Sequence, residues 1–365
     1  MRGPAVRPIV IAAGGTGGHF FPAEALAAAL IARGERVALM TDARAAARLP
    51  ESFRGREVHV LQGAGVAGHG VRRQAMALAG LGIGAMQARA ALARLDAAAI
   101  VGFGGYPVVA PVLGSRLLRK RPPVILHDQN AVLGTANRVM ARFATTLALS
   151  FPAVSRVPAG VATVVTGNPV RPEFGGVRAA PDGRIHLLVL GGSLGARVFS
   201  EVVPGALAAL PQPLRERLSV VQQCRAEDLE RVRAAYATSG ISAELSSFFP
   251  DVPARMLRAD LFIGRAGGST VAELAASGLP SILVPLPIAV NDEQGGNAQA
   301  LADVGAAWLV RQPELTGAAL GERLTALLAD PAALVRAGHA AAGLARSDAA
   351  ARLADLVLTH ARVSS

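Results

Sequence analysis

The chain has 365 residues, 52% of them hydrophobic and 17% charged, which excludes a disordered or fibrous protein and suits two or three domains of about 100–200 residues each. Its single cysteine, Cys224, excludes an intramolecular disulfide framework and a cysteine-based metal cluster and suits a reducing compartment. The net charge of +11 points to an anionic partner, but aromatics make up only 4%, Lys120 is the only lysine and no run of arginines exceeds two, so no nucleic-acid partner is expected.

Short β-branched runs alternate with Ala- and Leu-rich stretches of helical period. A first strand is predicted over Pro8–Ala13 and a helix over Pro22–Arg33, stopped by Gly34. Further strands are expected at Val37–Thr41, Val58–Leu61, Ala98–Phe103, Val124–His127 and Thr146–Ser150, with helices at Val71–Leu95 and Gly134–Phe143. The Gly- and Pro-rich stretch Pro172–Arg184 has no period and reads as a linker. Beyond it come strand Ile185–Leu190, helix Ala196–Leu210, strands Leu218–Gln222, Leu261–Gly264 and Ser281–Pro285, and a last helix over Asp348–Arg362. Such alternation implies parallel sheets covered on both faces, so the fold class is α/β. Two halves result, 1–170 and 171–347, with the helix in 348–365 a candidate to pack back on the first.

No segment is expected to span a membrane. The uncharged runs Ala97–Ser115 and Leu274–Asn291 are interrupted by Gly104, Gly105, Pro107 and Pro111 and by Pro280, Pro285 and Pro287. The basic-then-apolar start runs directly into a glycine cluster, which suits a first strand better than a signal peptide.

Ligands of open α/β sheets bind beyond the carboxyl ends of the strands, and the chemistry-bearing runs fall there. Gly14-Gly15-Thr16-Gly17-Gly18-His19-Phe20-Phe21-Pro22 follows the first strand. Its glycines admit a phosphate or sugar close to the backbone, and equally form a tight structural turn. Phe20 stands where a dinucleotide fingerprint counted from Gly15 needs glycine, and no P-loop lysine follows. His19 stands where a general base would serve, and where a helix-start histidine would also simply pack. Gly102-Phe103-Gly104-Gly105-Tyr106-Pro107 and His127-Asp128-Gln129-Asn130, the latter trailed by Gly134 and Asn137, end two more strands, as site or as turn residues.

The second half repeats the pattern in Gly191-Gly192-Ser193-Leu194-Gly195-Ala196 and Gly264-Arg265-Ala266-Gly267-Gly268-Ser269-Thr270-Val271-Ala272-Glu273. Helix-start amides suit a diphosphate; Glu273 suits a ribose diol or complements the helix dipole. Asn291-Asp292-Glu293-Gln294 and Asn297 suit sugar hydroxyls or a solvated loop. With no Asp-x-Asp pair, no zinc-spaced histidines and no Gly-x-Ser-x-Gly elbow, no metal and no cofactor is expected.

In order and over almost the whole chain, GGTGGHFFPA, GFGGYP, HDQN, GNPVR, GGSLGA, RAGGSTVAE, PSILVPLP and NDEQGGNA resemble the motifs of the MurG family. The resemblance implies the GT-B fold, two Rossmann-like parallel-sheet domains facing a central cleft. It implies an inverting hexosyltransferase that moves N-acetylglucosamine from UDP-N-acetylglucosamine to lipid I, giving lipid II for peptidoglycan. The first half would take the acceptor and the membrane, the second the UDP-sugar. By the same resemblance Ser193, Gly268, Ser269, Thr270, Val271, Ala272 and Glu273 form the UDP site, with Glu273 on the ribose. Phe249 offers a backbone contact to uracil, Gln294, Asn297 and Asn130 face the sugar, and Arg171 is a further donor-site residue. Thr16, Gly17 and Gly18 hold the acceptor diphosphate or close on the donor, and His19 is the general-base candidate.

Two departures stand out. The family usually has HEQN where this chain has His127-Asp128-Gln129-Asn130, and its His-Gln-Thr/Ser-Gly segment reads Gln222-Gln223-Cys224-Arg225, so that only Gln223 transfers. The resemblance also implies a peripheral enzyme at the cytoplasmic membrane face, with other cell-wall proteins as partners. Apolar Val71, Leu78, Leu81, Ile83 and Met86 beside Arg72, Arg73, Arg89 and Arg94 suit anionic lipid, or a helix packed on its own sheet. The competing readings are another UDP-sugar transferase with a different lipid or soluble acceptor, a dinucleotide oxidoreductase using Asp42 on a ribose, and a non-catalytic basic scaffold.

Overall fold

The computed structural model describes residues 7–14, 17–47, 49, 51–62, 71–180, 182–192, 195–288 and 290–363, the side chains of 17, 71–75 and 290 excepted. The chain forms two compact units, one of Met1–Arg171 with Asp348–Ser365 and one of Pro172–Ser347.

The first unit carries β1 (Ile9–Ala12), β2 (Val37–Thr41), β3 (Glu57–Val60), β4 (Ala99–Gly102), β5 (Val124–Asp128), β6 (Thr146–Leu149) and β7 (Thr163–Val165). They form one parallel seven-stranded sheet in the order β3-β2-β1-β4-β5-β6-β7. Strands β1, β2, β4, β5 and β6 are buried throughout, as expected for aliphatic runs covered by helices on both faces. The strand order reverses between β1 and β4, so the crevice of this sheet opens beside the loops that follow those two strands. Gly14 and the helix start at Gly17 follow β1, Phe103–Tyr106 follows β4, and the His127–Asn130 run closes the neighbouring β5.

The second unit carries β8 (Ile185–Leu190), β9 (Leu218–Gln223), β10 (Ser242–Ser246), β11 (Leu261–Gly264), β12 (Ser281–Leu283) and β13 (Ala307–Leu309). Its sheet is also parallel, in the order β10-β9-β8-β11-β12-β13. Here the order reverses between β8 and β11, and the loops after these two hold the other two Gly-rich runs.

Helix Ala349–Val363 packs on helix Gly17–Ala32. Its buried residues Leu353, Ala354, Val357, Leu358 and Ala361 recur at helical spacing and share a core with Leu26 and Leu30. Arg33 closes the contact through Asp355 at 2.7 Å.

Several sequence expectations change. The first helix starts at Gly17 and not at Pro22, so Gly17, Gly18 and His19 form its first turn and Pro22 lies inside it. Strands β7, β10 and β13 have no counterpart in the sequence reading; all three are sheet edges, β7 and β13 have only three residues each, and neither β7 nor β10 has a buried position, so no buried alternation marks them. The stretch read as a linker is anchored. Phe174 in the turn Pro172–Gly175 is fully buried, Ser277 Oγ donates to its carbonyl at 3.2 Å, and the Arg178 guanidinium donates to the Ser277 and Ala259 carbonyls.

One helix is long and apolar enough to cross a membrane by length and composition, over Met76–Leu95, a stretch the sequence reading did not weigh for this. It belongs to helix Val71–Leu95, which packs on helix Val109–Arg116 so closely that a Cβ on Gly114 would stand 2.6 Å from the Ala85 carbonyl oxygen.

Candidate active site

In the first unit, His19 sits part-buried against the loop after β4. Gly105, at φ +69° and ψ −178°, lets the backbone pass beside the imidazole. His19 Nδ1 lies 3.1 Å from Gln129 Oε1, and Gln129 Nε2 lies 3.2 Å from the Phe103 carbonyl oxygen and 3.0 Å from His127 Nδ1. His127 Nε2 is 3.0 Å from the Gly167 carbonyl oxygen. Burial lowers both imidazoles, His127 to about 4, so both are neutral near pH 7. A neutral imidazole at the mouth of a sheet crevice is the protonation state that a general base requires.

The two-residue period of β5 sorts its terminal run. His127 and Asp128, successive at the end of β5, leave opposite faces, and Gln129 and Asn130 follow just beyond the strand. Asp128 Oδ1 accepts from the Asn130 backbone N–H at 3.0 Å. Its Oδ2 accepts from the Gly134 N–H and from Asn137 Nδ2, both at 2.9 Å. Every partner is a donor, so the ionised carboxylate fits the geometry, although burial pushes its pKa up. Asp128 therefore organises the loop toward Asn137. Asn130, expected to face the sugar, is part of that loop.

In the second unit, helix Gly268–Ser277 starts directly beyond β11 with Gly267 as its N-cap, directing its first amides past the strand end. Ser269 and Glu273 are buried, and Thr270, Val271 and Ala272 lie between them in the same helix. Asn297, also buried, donates to the Ala266 carbonyl at 3.0 Å, and Gln294 Oε1 accepts from the Leu286 N–H at 3.0 Å. These two amides thus hold the loops after β11 and β12. Arg265 is buried, with its guanidinium 5.3 Å from the Phe199 ring centroid. It donates to the carbonyls of Val284 and Pro285 at 3.0 Å each and to Gln312 Oε1 at 2.7 Å. Among the described residues no carboxylate pairs with it. Gln223 accepts from the Gly191 N–H at 3.1 Å and donates to the Ser247 carbonyl at 3.2 Å, tying the glycine turn after β8 to the loop after β10. The Phe249 ring is buried beneath Arg255, 4.2 Å away.

Residues 9–149 match the glycosyltransferase family 28 N-terminal domain and residues 186–353 its C-terminal domain. A protein of Granulibacter bethesdensis named UDP-N-acetylglucosamine–N-acetylmuramyl-(pentapeptide) pyrophosphoryl-undecaprenol N-acetylglucosamine transferase is 56% identical over 362 residues, 98% of this chain and 94% of its own. The protein of the same name from Gluconobacter oxydans is 57% identical over 96% of this chain and 98% of its own. The crystal structure of Acinetobacter baumannii MurG superposes with a TM-score of 0.77 at 30% identity, covering 96% of this chain and 99% of that one. The chain belongs to the MurG family.

Its two parallel-sheet units are those of the GT-B fold of this family. A kitacinnamycin glycosyltransferase, 20% identical with a TM-score of 0.72, shares that fold. The MurG-family residues named from the sequence fall into both units. His19, Gly17, Gly18 and Asn130 lie in the first, as does Arg171, whose guanidinium stands 5.1 Å from the Phe21 ring. Phe249, Gly268–Glu273, Gln294 and Asn297 lie in the second. Thr16 and Ser193 lie outside the described residues. Asp42, the ribose acid of the oxidoreductase reading, instead caps helix Ala43–Ala46 through the Arg44 and Ala45 N–H groups. Sequence reasoning named His127 and Gln129 only as members of a run of site or turn residues and gave neither a role of its own; their spacing of two at a strand end was the available signal.

Proposed function

We propose that this chain transfers N-acetylglucosamine from UDP-N-acetylglucosamine to the muramyl sugar of lipid I, the undecaprenyl-pyrophosphoryl-N-acetylmuramyl-pentapeptide, giving lipid II for peptidoglycan. The observation that carries this reading is identity above one half, along nearly the full chain, to relatives named for that reaction.

The first unit takes the acceptor. The acceptor hydroxyl oxygen attacks the anomeric carbon of the donor while the bond from that carbon to the UDP oxygen breaks, and the electron pair leaves with UDP. The hydroxyl proton passes to His19, which burial keeps neutral. The second unit takes the donor. The amides at the start of helix Gly268–Ser277, with Ser269 and Thr270, offset the charge developing on the diphosphate, and Glu273 holds the ribose. Ser193 adds a hydroxyl to the diphosphate, Phe249 a backbone contact to uracil, and Arg171 a further donor contact. Gln294 and Asn130 read the sugar; Asn297, expected beside them, is fully buried on the Ala266 carbonyl and holds the loop instead; Thr16, Gly17 and Gly18 hold the acceptor diphosphate or close on the donor.

The enzyme works as a peripheral protein on the cytoplasmic membrane face. Met76, Leu78, Ile83 and Met86 of helix Val71–Leu95 are exposed, 50–70% each, and form an apolar surface for the bilayer that carries the acceptor. The basic excess of +11 favours anionic headgroups.

Purified protein given radiolabelled UDP-N-acetylglucosamine with either lipid I or diacylglycerol tests the reading. Label is expected in the lipid I product alone. Transfer to diacylglycerol and none to lipid I would replace it with another lipid glycosyltransferase.

A further inference from the structure

The hydrogen bonds around His19 have a direction, and two backbone carbonyls set it. The Gly167 carbonyl can only accept, so His127 Nε2, 3.0 Å away, carries a proton. A neutral His127 then has a bare Nδ1, which must accept. The Gln129 side-chain nitrogen is the donor it meets at 3.0 Å, and the same nitrogen gives its second proton to the Phe103 carbonyl at 3.2 Å. Both amide protons are thereby assigned and the amide cannot be reversed, since its oxygen would then face a carbonyl. Gln129 Oε1 is left facing His19 Nδ1 at 3.1 Å. His19 Nδ1 must carry the proton, and His19 Nε2 keeps its lone pair. Among the described residues, no hydrogen bond reaches that Nε2.

We infer that His127 and Gln129 are positioning residues that hold His19 in the Nδ1–H tautomer, with the Phe103 and Gly167 carbonyls anchoring the chain of hydrogen bonds at its two fixed points. This rests on the proposal that His19 takes the acceptor proton, because the tautomer matters to turnover only if Nε2 is the accepting atom. The opposite tautomer would present an N–H to the acceptor hydroxyl and could not receive its proton. The role differs from that of Asp128, whose oxygens are occupied by Asn130, Gly134 and Asn137 and which acts on His19 only through its charge.

Histidine-selective 15N labelling and two-bond proton–nitrogen correlation at about pH 7 test the inference on the intact protein, with His19 and His127 assigned from His19→Ala and His127→Ala. The expected spectrum shows His19 protonated at Nδ1 and His127 at Nε2. A wild-type spectrum with His19 protonated at Nε2 overturns the inference with no variant needed. In Gln129→Leu the His19 signal is expected to shift toward Nε2–H, with kcat down by about tenfold or more and KM little changed. Unchanged tautomer and unchanged kcat in that variant would also overturn it. In Gln129→Glu one carboxylate oxygen still accepts from His19 Nδ1–H while the other replaces the donor that His127 Nδ1 and the Phe103 carbonyl had, so both imidazoles are drawn toward the imidazolium and the acid limb of the kcat profile is expected to move to higher pH. Failure of the base reading looks different. His19→Ala would then turn over at the wild-type rate while the wild-type spectrum still showed the Nδ1–H tautomer.

Discussion

His19 and Gly105 meet edge to edge. A Cβ on Gly105 would stand 3.1 Å from His19 Cδ2 and 3.4 Å from Nε2, and Gly105 adopts φ +69° with ψ −178°, a conformation open essentially to glycine alone. Gly105→Ala is therefore expected to cost about 1–3 kcal/mol in backbone strain and to displace the imidazole. Turnover should fall at least tenfold, by the proximity argument that a misplaced base loses most of its contribution. Steady-state kinetics beside chemical denaturation checks both effects. Wild-type kcat in a folded variant would detach the imidazole's position from the chemistry.

Acid should weaken the first unit through His127. Its folded pKa is held down to about 4, against 6.5 for an ordinary histidine. Between those values the unfolded chain binds a proton that the folded chain refuses. The contribution is complete above pH 6.5 and is lost as pH falls toward 4, amounting to about 3 kcal/mol. His19 is displaced in the same direction. Thermal unfolding across this window should show the loss, and His127→Gln, whose amide can still donate to Gly167, should show a shallower dependence. Equal slopes in the two proteins would contradict the assignment.

Arg265 is expected to matter for stability through its fork of donors. Arg265→Met leaves the Val284 and Pro285 carbonyls and the Gln312 side-chain oxygen without their buried partner, at a cost of about 2–4 kcal/mol. Arg265→Lys should recover only part of this, because an ammonium cannot match the planar fork. Urea denaturation of the two variants provides the comparison. A loss below about 0.5 kcal/mol, the usual range for surface changes, would show that the carbonyls find other donors.

Glu273→Ala should reduce UDP affinity by about 10- to 100-fold, the equivalent of one hydrogen bond to a charged group. Isothermal titration with UDP measures it. His19→Ala should retain UDP affinity and lose turnover. Wild-type affinity in Glu273→Ala would remove Glu273 from the nucleotide site.

The exposed side chains of helix Val71–Leu95 should govern contact with lipid. Replacing Leu78 and Met86 by serine is expected to release the protein from anionic vesicles severalfold in sedimentation assays, while thermal stability stays close to wild type, since both side chains are exposed. Equal sedimentation of variant and wild type would move the membrane surface elsewhere.

The sequence by itself determined the parallel α/β units and the placing of glycine and amide runs at strand ends. Both are local matters: aliphatic runs of strand length favour burial, and glycines admit the tight backbone turns that a strand-to-helix junction needs. The edge strands β7, β10 and β13 escaped because two of them have three residues each and two have no buried position, so they carry little burial signal. The start of the first helix escaped because Gly17 and Pro22 are locally poor helix residues that tertiary packing overrides. Only the tertiary structure decided that Phe174 is core and not linker. It alone brought Gln129 to His19 across 110 positions and set a carbonyl at each fixed point of their hydrogen-bond chain. Proton direction depends on which donor meets which acceptor, and that is a property of strands brought side by side rather than of any stretch of sequence.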